Sequence, residues 1–224
     1  MKETIHIENP EGVLRLKGDD YDSVLYLNNI PIQFTWIREI GSTWRYQIAK
    51  SVRESDLIKD SRFRQFVRFG YLTSDSISQQ FDYIIKILFS GKYELTLDYL
   101  SQDLGLIENT TETDDYYSFD TYGGLDDIIE TQSIYDENTI NEYMVSIQKG
   151  VEPIMVVFTS NDSKNKFILD GHHKYIAYSR LKKKPRALII KRLNTDTIDK
   201  DEVEKVFRLS KCKNQNYKIR YLNK

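Results

Sequence analysis

Apolar positions recur every second residue in the first fifty residues of the chain and at wider spacing after that. Val13 to Lys17, Ser23 to Leu27, Ile30 to Ile37 and Thr43 to Ile48 are rich in β-branched and aromatic residues, and are divided by Gly18, Asn28-Asn29 and Gly41-Ser42. They predict a meander or small antiparallel sheet. From Ser55 the period lengthens. Phe63, Phe66 and Val67 share one side of a predicted helix; Ile77, Phe81, Ile84, Ile85 and Leu88 share one side of a second, with Thr73-Ser74-Asp75 as its start signal. Leu95 to Leu104 reads as a third helix. The aromatic residues of this half, among them Trp36, Trp44, Tyr46, Phe63, Phe66 and Phe69, are most simply core.

Glu108 to Asp115 is polar, acidic and without apolar period, which places a linker and a domain boundary there. Residues 1–113 then form a β-meander with helices, and residues 114–224 a second domain. In that second half Leu125 to Ile129 reads as a short strand and Asn138 to Gln148 as a helix with Ile140, Tyr143, Met144 and Ile147 aligned. Pro153 to Phe158 reads as a buried strand, Asn161-Asp162-Ser163 as a turn and Phe167 to Leu169 as the next strand. His172 to Leu181 is predicted helical and Arg186 to Arg192 a further buried strand. The order is β-α-β-β-α-β, and the fold class is α+β. Val203 to Leu209 predicts a last helix.

Composition narrows the setting. With 224 residues and 40% hydrophobic content the chain can bury a substantial core. A formal charge of -2 gives no global attraction to nucleic acid or an acidic membrane. A single cysteine, Cys212, excludes an internal disulfide, and no apolar run approaches the roughly 20 residues of a membrane span. Met1 to His6 lacks the apolar core of a signal peptide, so the expected location is cytoplasmic.

Chemistry concentrates where one apolar run ends and another begins, at Asp170-Gly171-His172-His173-Lys174. Gly171 permits a backbone shape that residues with a Cβ avoid, and the first turn of the following helix leaves N–H groups unpaired at the positive end of the helix dipole. A strand, a glycine turn and a helix N-terminus together make an anion pocket, to which His173 and Lys174 add charge. Beside this stands a plainer reading, in which the two imidazoles cap backbone groups and are solvated. Adjacent helical residues diverge by about 100°, and only His6 remains as a third imidazole, so the pair is poorly suited to a zinc site.

This segment resembles the ParB/sulfiredoxin superfamily, whose phosphate-binding turn reads Gly-x-His-Arg or Gly-Glu-Arg-Arg. The free serine kinase branch has Asp-Gly-His-His-Arg; Asp170 to His173 match it and Lys174 replaces the arginine. Ser146-Ile147, Gly150-Val151 and Pro153-Ile154 are similar to the stretch that precedes the family's second strand, and the resemblance covers about residues 125–193. It implies nucleotide binding, ATP or ADP, with phosphates on Gly171, His173 and Lys174. It also implies that Asp170 holds a magnesium ion or polarises the acceptor, with His172 near the transferred group. His172 stands where sulfiredoxin has its attacking cysteine, and the thirty or so residues after Leu193 are too few for the DNA-binding domain of ParB. The kinase branch uses a glutamate base; Gln132 falls near that position and cannot accept a proton, which leaves Glu130 or Asp170 to stand in.

Three functions are compatible with this pattern. The first is a nucleotide-dependent phosphotransferase or phosphohydrolase acting on a small hydroxyl-bearing acceptor, with Asp170, His172 and Glu130 catalytic. The second is a nucleotide-sensing or DNA-associated regulator of the ParB kind, and the third an interaction protein that keeps the turn. Residues 205–224 hold seven Lys or Arg and no acid, with Phe207, Tyr217 and Tyr221 interleaved. That pattern fits a single-strand nucleic-acid platform, although Ile219 and Leu222 favour a plain edge strand.

Overall fold

The computed structural model describes residues 1–18, 22–39, 43–50, 61–70, 76–101, 105–107, 116–122, 127–129, 131, 135–161, 163, 165–194 and 196–209. They form a mixed α+β structure built on two sheets. The larger contains β1 (Lys2–Ile7), β6 (Gly91–Tyr99), β7 (Gly105–Ile107), β9 (Asp127–Ile129), β10 (Ile154–Ser160), β11 (Asn165–Asp170) and β12 (Arg186–Arg192), in the order β1-β6-β12-β10-β11-β9-β7. The smaller is antiparallel, β2 (Leu14–Gly18), β3 (Asp22–Leu27), β4 (Ile30–Glu39), β5 (Thr43–Lys50) and β8 (Tyr116–Tyr122). Helices are α1 (Ser61–Phe69), α2 (Ile77–Gln80), α3 (Asp82–Ile87), α4 (Glu137–Gln148), α5 (His172–Arg180) and α6 (Lys200–Leu209).

The predicted meander is present as β2 to β5, and the β-α-β-β-α-β order as β9, α4, β10, β11, α5 and β12. Of the helix expected at Leu95 to Leu104, Leu95 to Tyr99 is strand instead, and residues 102–104 lie outside the described residues. Tyr93, Leu95 and Leu97 are buried while Lys92, Glu94 and Thr96 between them are more exposed, and this period of two builds β6, hydrogen-bonded to β1 on one side and β12 on the other. The expected start signal, residues 73–75, lies outside the described residues, and Ser76 caps α2 by accepting from the Gln79 N–H. Position 113 does not divide the sheets. β1, β6 and β7 precede it yet pair in the larger sheet, and β8 follows it yet pairs with β5 in the smaller. The linker at 108–115 lies outside the described residues.

β10 is buried along its whole length because the larger sheet is covered on both faces. Ile154, Val156 and Phe158 join Phe167, Leu169, Leu188, Ile190 and Leu95 in a core that also takes Leu14, Leu16, Leu25 and Ile32 from the smaller sheet. Met155 and Val157 point the other way, into a cluster with Ile168, Ala187 and Tyr175 of α5. α6 covers the outer face of the smaller sheet, Val203, Val206 and Phe207 packing on Val24, Tyr26, Phe34, Trp36 and Ile48. Arg192, 3% exposed, ties the sheets together by donating to the Leu16 carbonyl at 2.8 Å and to Asp196 at 2.9 Å.

Phe207 is therefore core and not a stacking platform; its ring centroid lies 6.0 Å from that of Phe34. Residues 210–224, the rest of the basic tail, lie outside the described residues. No helix among the described residues is long and apolar enough to cross a membrane. Truncating Phe207→Ala should cost about 3–5 kcal/mol by opening a cavity under α6; urea denaturation measures it, and a loss within the error of the midpoint would contradict this packing.

Candidate functional site: the turn from β11 into α5

Asp170 ends β11, and Gly171 is the N-cap of α5 with φ 111°, in the left-handed region. A Cβ on Gly171 would sit 2.9 Å from Met155 Cγ and 3.2 Å from Met155 Cα, so both backbone conformation and space require glycine here. No side chain caps the helix start. The N–H groups of His172, His173 and Lys174 have no intrahelical acceptor, and the first bond of the helix is Tyr175 N–H to the Gly171 carbonyl at 2.8 Å. The expected glycine turn and uncapped helix start are present.

The charged side chains of the turn are arranged differently from the expectation. Lys174 is 2% exposed and its Nζ donates to Asp170 Oδ2, one turn back, and to the Ile154 carbonyl at 2.9 Å. Asp170 is 1% exposed. Lys174 is therefore spent on balancing a buried carboxylate beneath the helix, where an isolated charge would be costly, and does not stand at the mouth of the turn. For the same reason Asp170 does not fit a resident magnesium ion, which takes several waters and near-octahedral oxygen ligands. Among the described residues no group of three His, Cys, Asp or Glu could hold a metal.

The imidazoles bond to Thr131 and Asp136, which lie between β9 and α4. Thr131 N–H donates to His172 Nε2 at 3.1 Å, and the Thr131 hydroxyl donates to the Ile168 carbonyl of β11 at 2.7 Å. Asp136 N–H donates to His173 Nε2 at 3.0 Å, and the Tyr135 ring stands edge-on to that imidazole, centroids 6.0 Å apart. An Nε2 that accepts from an amide leaves the proton of a neutral ring on Nδ1. His172 is 1% exposed, and its Nδ1 has no hydrogen-bond partner among the described residues. Burial drives the His172 pKa down to about 3, with Asp170 opposing the shift; burial also lowers that of His173, against the pull of Asp136.

Asp136 caps α4 by accepting from Asn138 N–H at 3.3 Å and Thr139 N–H at 3.0 Å, and α4 is held to α5 by a two-pronged pair, Arg180 to Glu137, both contacts 2.8 Å. The structure thus brings together Asp170, Gly171, His172, His173 and Lys174, as expected, and adds Thr131, Tyr135 and Asp136. Sequence reasoning missed these three, which sit in a polar stretch with no periodicity; the Asp136 start signal was the one readable sign. Glu130 and Gln132 lie outside the described residues, and His6 is on the exposed side of β1.

The buried pair should act as a unit. Lys174→Met, which strands the Asp170 charge, should cost about 3–5 kcal/mol, and adding Asp170→Asn should recover part of it; equal costs for the single and double variants in chemical denaturation would dissociate the two. His172 supplies a pH dependence. Its folded-state pKa lies below the unfolded value of about 6.5, so its contribution to stability is complete above that pH and is lost as the pH falls toward 3, because only the unfolded chain takes up the proton. The slope from this group approaches ~1.4 kcal/mol per pH unit. His172→Gln, which keeps an acceptor for Thr131 N–H, should unfold with a shallower pH dependence between pH 6.5 and 4.5; an unchanged slope would place the titration elsewhere.

No protein-family model matches the chain, and no curated protein or solved structure matches it either, so the reading of this site rests on its own residues and geometry.

Proposed function

We propose that the turn from Asp170 to Lys174 holds the terminal phosphates of ATP or ADP, and that the chain is a nucleotide-dependent phosphotransferase or phosphohydrolase acting on a small hydroxyl-bearing acceptor. The observation that carries this reading is the helix start without a side-chain cap behind left-handed Gly171, next to a buried His172 Nδ1 that has no partner among the described residues. The uncapped N–H groups at the start of α5 lie at the end of a helix whose dipole favours anions. In this assignment the phosphates are gripped by backbone donors and His173, and Lys174 supports the turn from below.

The acceptor hydroxyl needs a proton acceptor within hydrogen-bond reach, and both imidazoles spend Nε2 on backbone amides. Asp170 is paired with Lys174. Glu130 is the remaining candidate from the sequence, and it is covalently next to Thr131, which is fixed to both β11 and His172. A second reading, the nucleotide-sensing regulator, is favoured by the same engagement of every charged or basic side chain of the turn with protein groups. Nucleotide would then act on the contacts of Thr131 and Asp136 with the imidazoles instead of on a bond.

Calorimetric titration with ATP and ADP in magnesium buffer should show binding that weakens as salt rises. Coupled turnover assays over a panel of hydroxyl-bearing metabolites should show nucleotide consumption, reduced about 100-fold or more by Glu130→Gln with binding retained. Binding without turnover on any acceptor would replace the enzyme with the regulator. Absence of nucleotide binding would remove both readings. Gly171→Val is not a usable probe, because Met155 would be displaced whether or not nucleotide binds.

A further inference from the structure

At the end of α5 remote from Gly171, the C-terminal ends of α4 and α5 and the loops that follow them enclose a cleft of about 440 Å³. Its floor is apolar, formed by Ile147 and Tyr178, 2% and 3% exposed, with the Tyr178 hydroxyl donating to the Pro153 carbonyl at 3.0 Å. Beside them the backbone of Gly150 faces open space, since an added Cβ would meet nothing within 4 Å. The Tyr99 ring, 48% exposed, stands at the edge. A volume of this size is typical of small-molecule sites, which lie at roughly 300–1,000 Å³.

The charges around the cleft do not cancel. Glu152 is committed on both oxygens, accepting from the Tyr99 hydroxyl at 2.7 Å and from Arg186 at 3.4 Å. Lys183 donates to the Ile147 carbonyl at 3.2 Å, a neutral partner that leaves its positive charge and two of its three donors for another acceptor. Lys184 lines the cleft beside it. Neither lysine forms an ion pair with a carboxylate among the described residues, so the lining carries an excess of positive charge above an apolar floor.

We infer that this cleft is a binding site for a small organic anion, its ring or apolar body seated on Ile147, Tyr178 and the face of Tyr99 and its carboxylate or phosphate held by Lys183 and Lys184. The occupant is distinct from the nucleotide proposed for the other end of the nine-residue helix, about 13 Å away at 1.5 Å per residue. A bare inorganic anion would leave the apolar floor uncovered, and a neutral aromatic would leave the ammonium groups without a counter-charge.

The test is titration of the full chain, followed by amide chemical shifts and calorimetry, with 3-phenylpropionate, 3-phenylpropionamide, phenyl phosphate and inorganic phosphate. The two aryl anions should shift the Gly150, Val151, Lys183 and Lys184 amides, and the uncharged amide should bind at least ~10-fold more weakly. Whichever aryl anion binds tighter supports the site and identifies the head group it prefers. Lys184→Gln, at an exposed position, should lower aryl-anion affinity by about 10-fold with the melting temperature unchanged. Val151→Trp should abolish binding by filling the cleft, and folding of that variant is checked by its dispersed amide spectrum. Equal binding of the amide and the carboxylate, inorganic phosphate binding as tightly as both aryl anions, or no shift at these amides with ~10 mM aryl anion, far above the affinity expected of such a site, would each overturn the inference.

Discussion

One buried ion pair, Lys174 with Asp170, formed across the first turn of α5, holds two central strands of the larger sheet to the helix that covers them. Asp170 is the last residue of β11, and Lys174 reaches under the helix to the carbonyl of Ile154, the first residue of β10. A single ammonium therefore joins two adjacent strands to the helix that covers them. Neither charge can leave without stranding the other in a region from which water is excluded. The pair fixes where α5 starts, and Gly171, pressed against Met155, fixes the angle at which the chain turns to start it.

The histidines next to this pair work through their neutral forms. Each accepts an amide hydrogen through Nε2, and the two amides, Thr131 and Asp136, bracket the connection from β9 to α4. Burial keeps the imidazoles uncharged, and the neutral form alone can accept. The turn at the start of α5 is thus also where Thr131 and Asp136 are held. His172 and His173 carry both the helix-start N–H groups and the Nε2 acceptors of Thr131 and Asp136.

The two sheets are not separate bodies joined in series. β1, β6 and β7 enter the larger sheet from the first half of the sequence, and β8 returns to the smaller from the second half. Side chains close the seam: Asn165 donates to the Ser23 hydroxyl at 3.1 Å, Arg192 reaches the Leu16 carbonyl, and Lys17 pairs with Glu202 of α6 at 2.5 Å. Because Leu14, Leu16 and Leu25 share a core with Val156 and Phe158, loosening one sheet exposes the apolar face of the other.

Local pattern was enough for most elements. Alternation in residues 14 to 48, the continuous apolar runs of β10 and β12, and the i, i+4 spacing of α4 and α5 each reflect which face a residue must bury, a property that neighbours in sequence already express. The Asp-Gly-His-His-Lys stretch was legible as a strand, glycine and helix for the same reason. What the sequence could not express is partnership at a distance. The first half of the helix expected from Leu95 belongs to β6 because β1 and β12 supply hydrogen bonds on both sides of Tyr93 to Leu97, and a ladder of that kind is invisible until the strands meet. The boundary expected near residue 113 depended on where chain segments pair, which composition does not encode. Lys174 looked like a phosphate ligand in the sequence, and tertiary burial turned it inward, since a lysine one helical turn after a buried aspartate lowers its energy most by neutralising that charge.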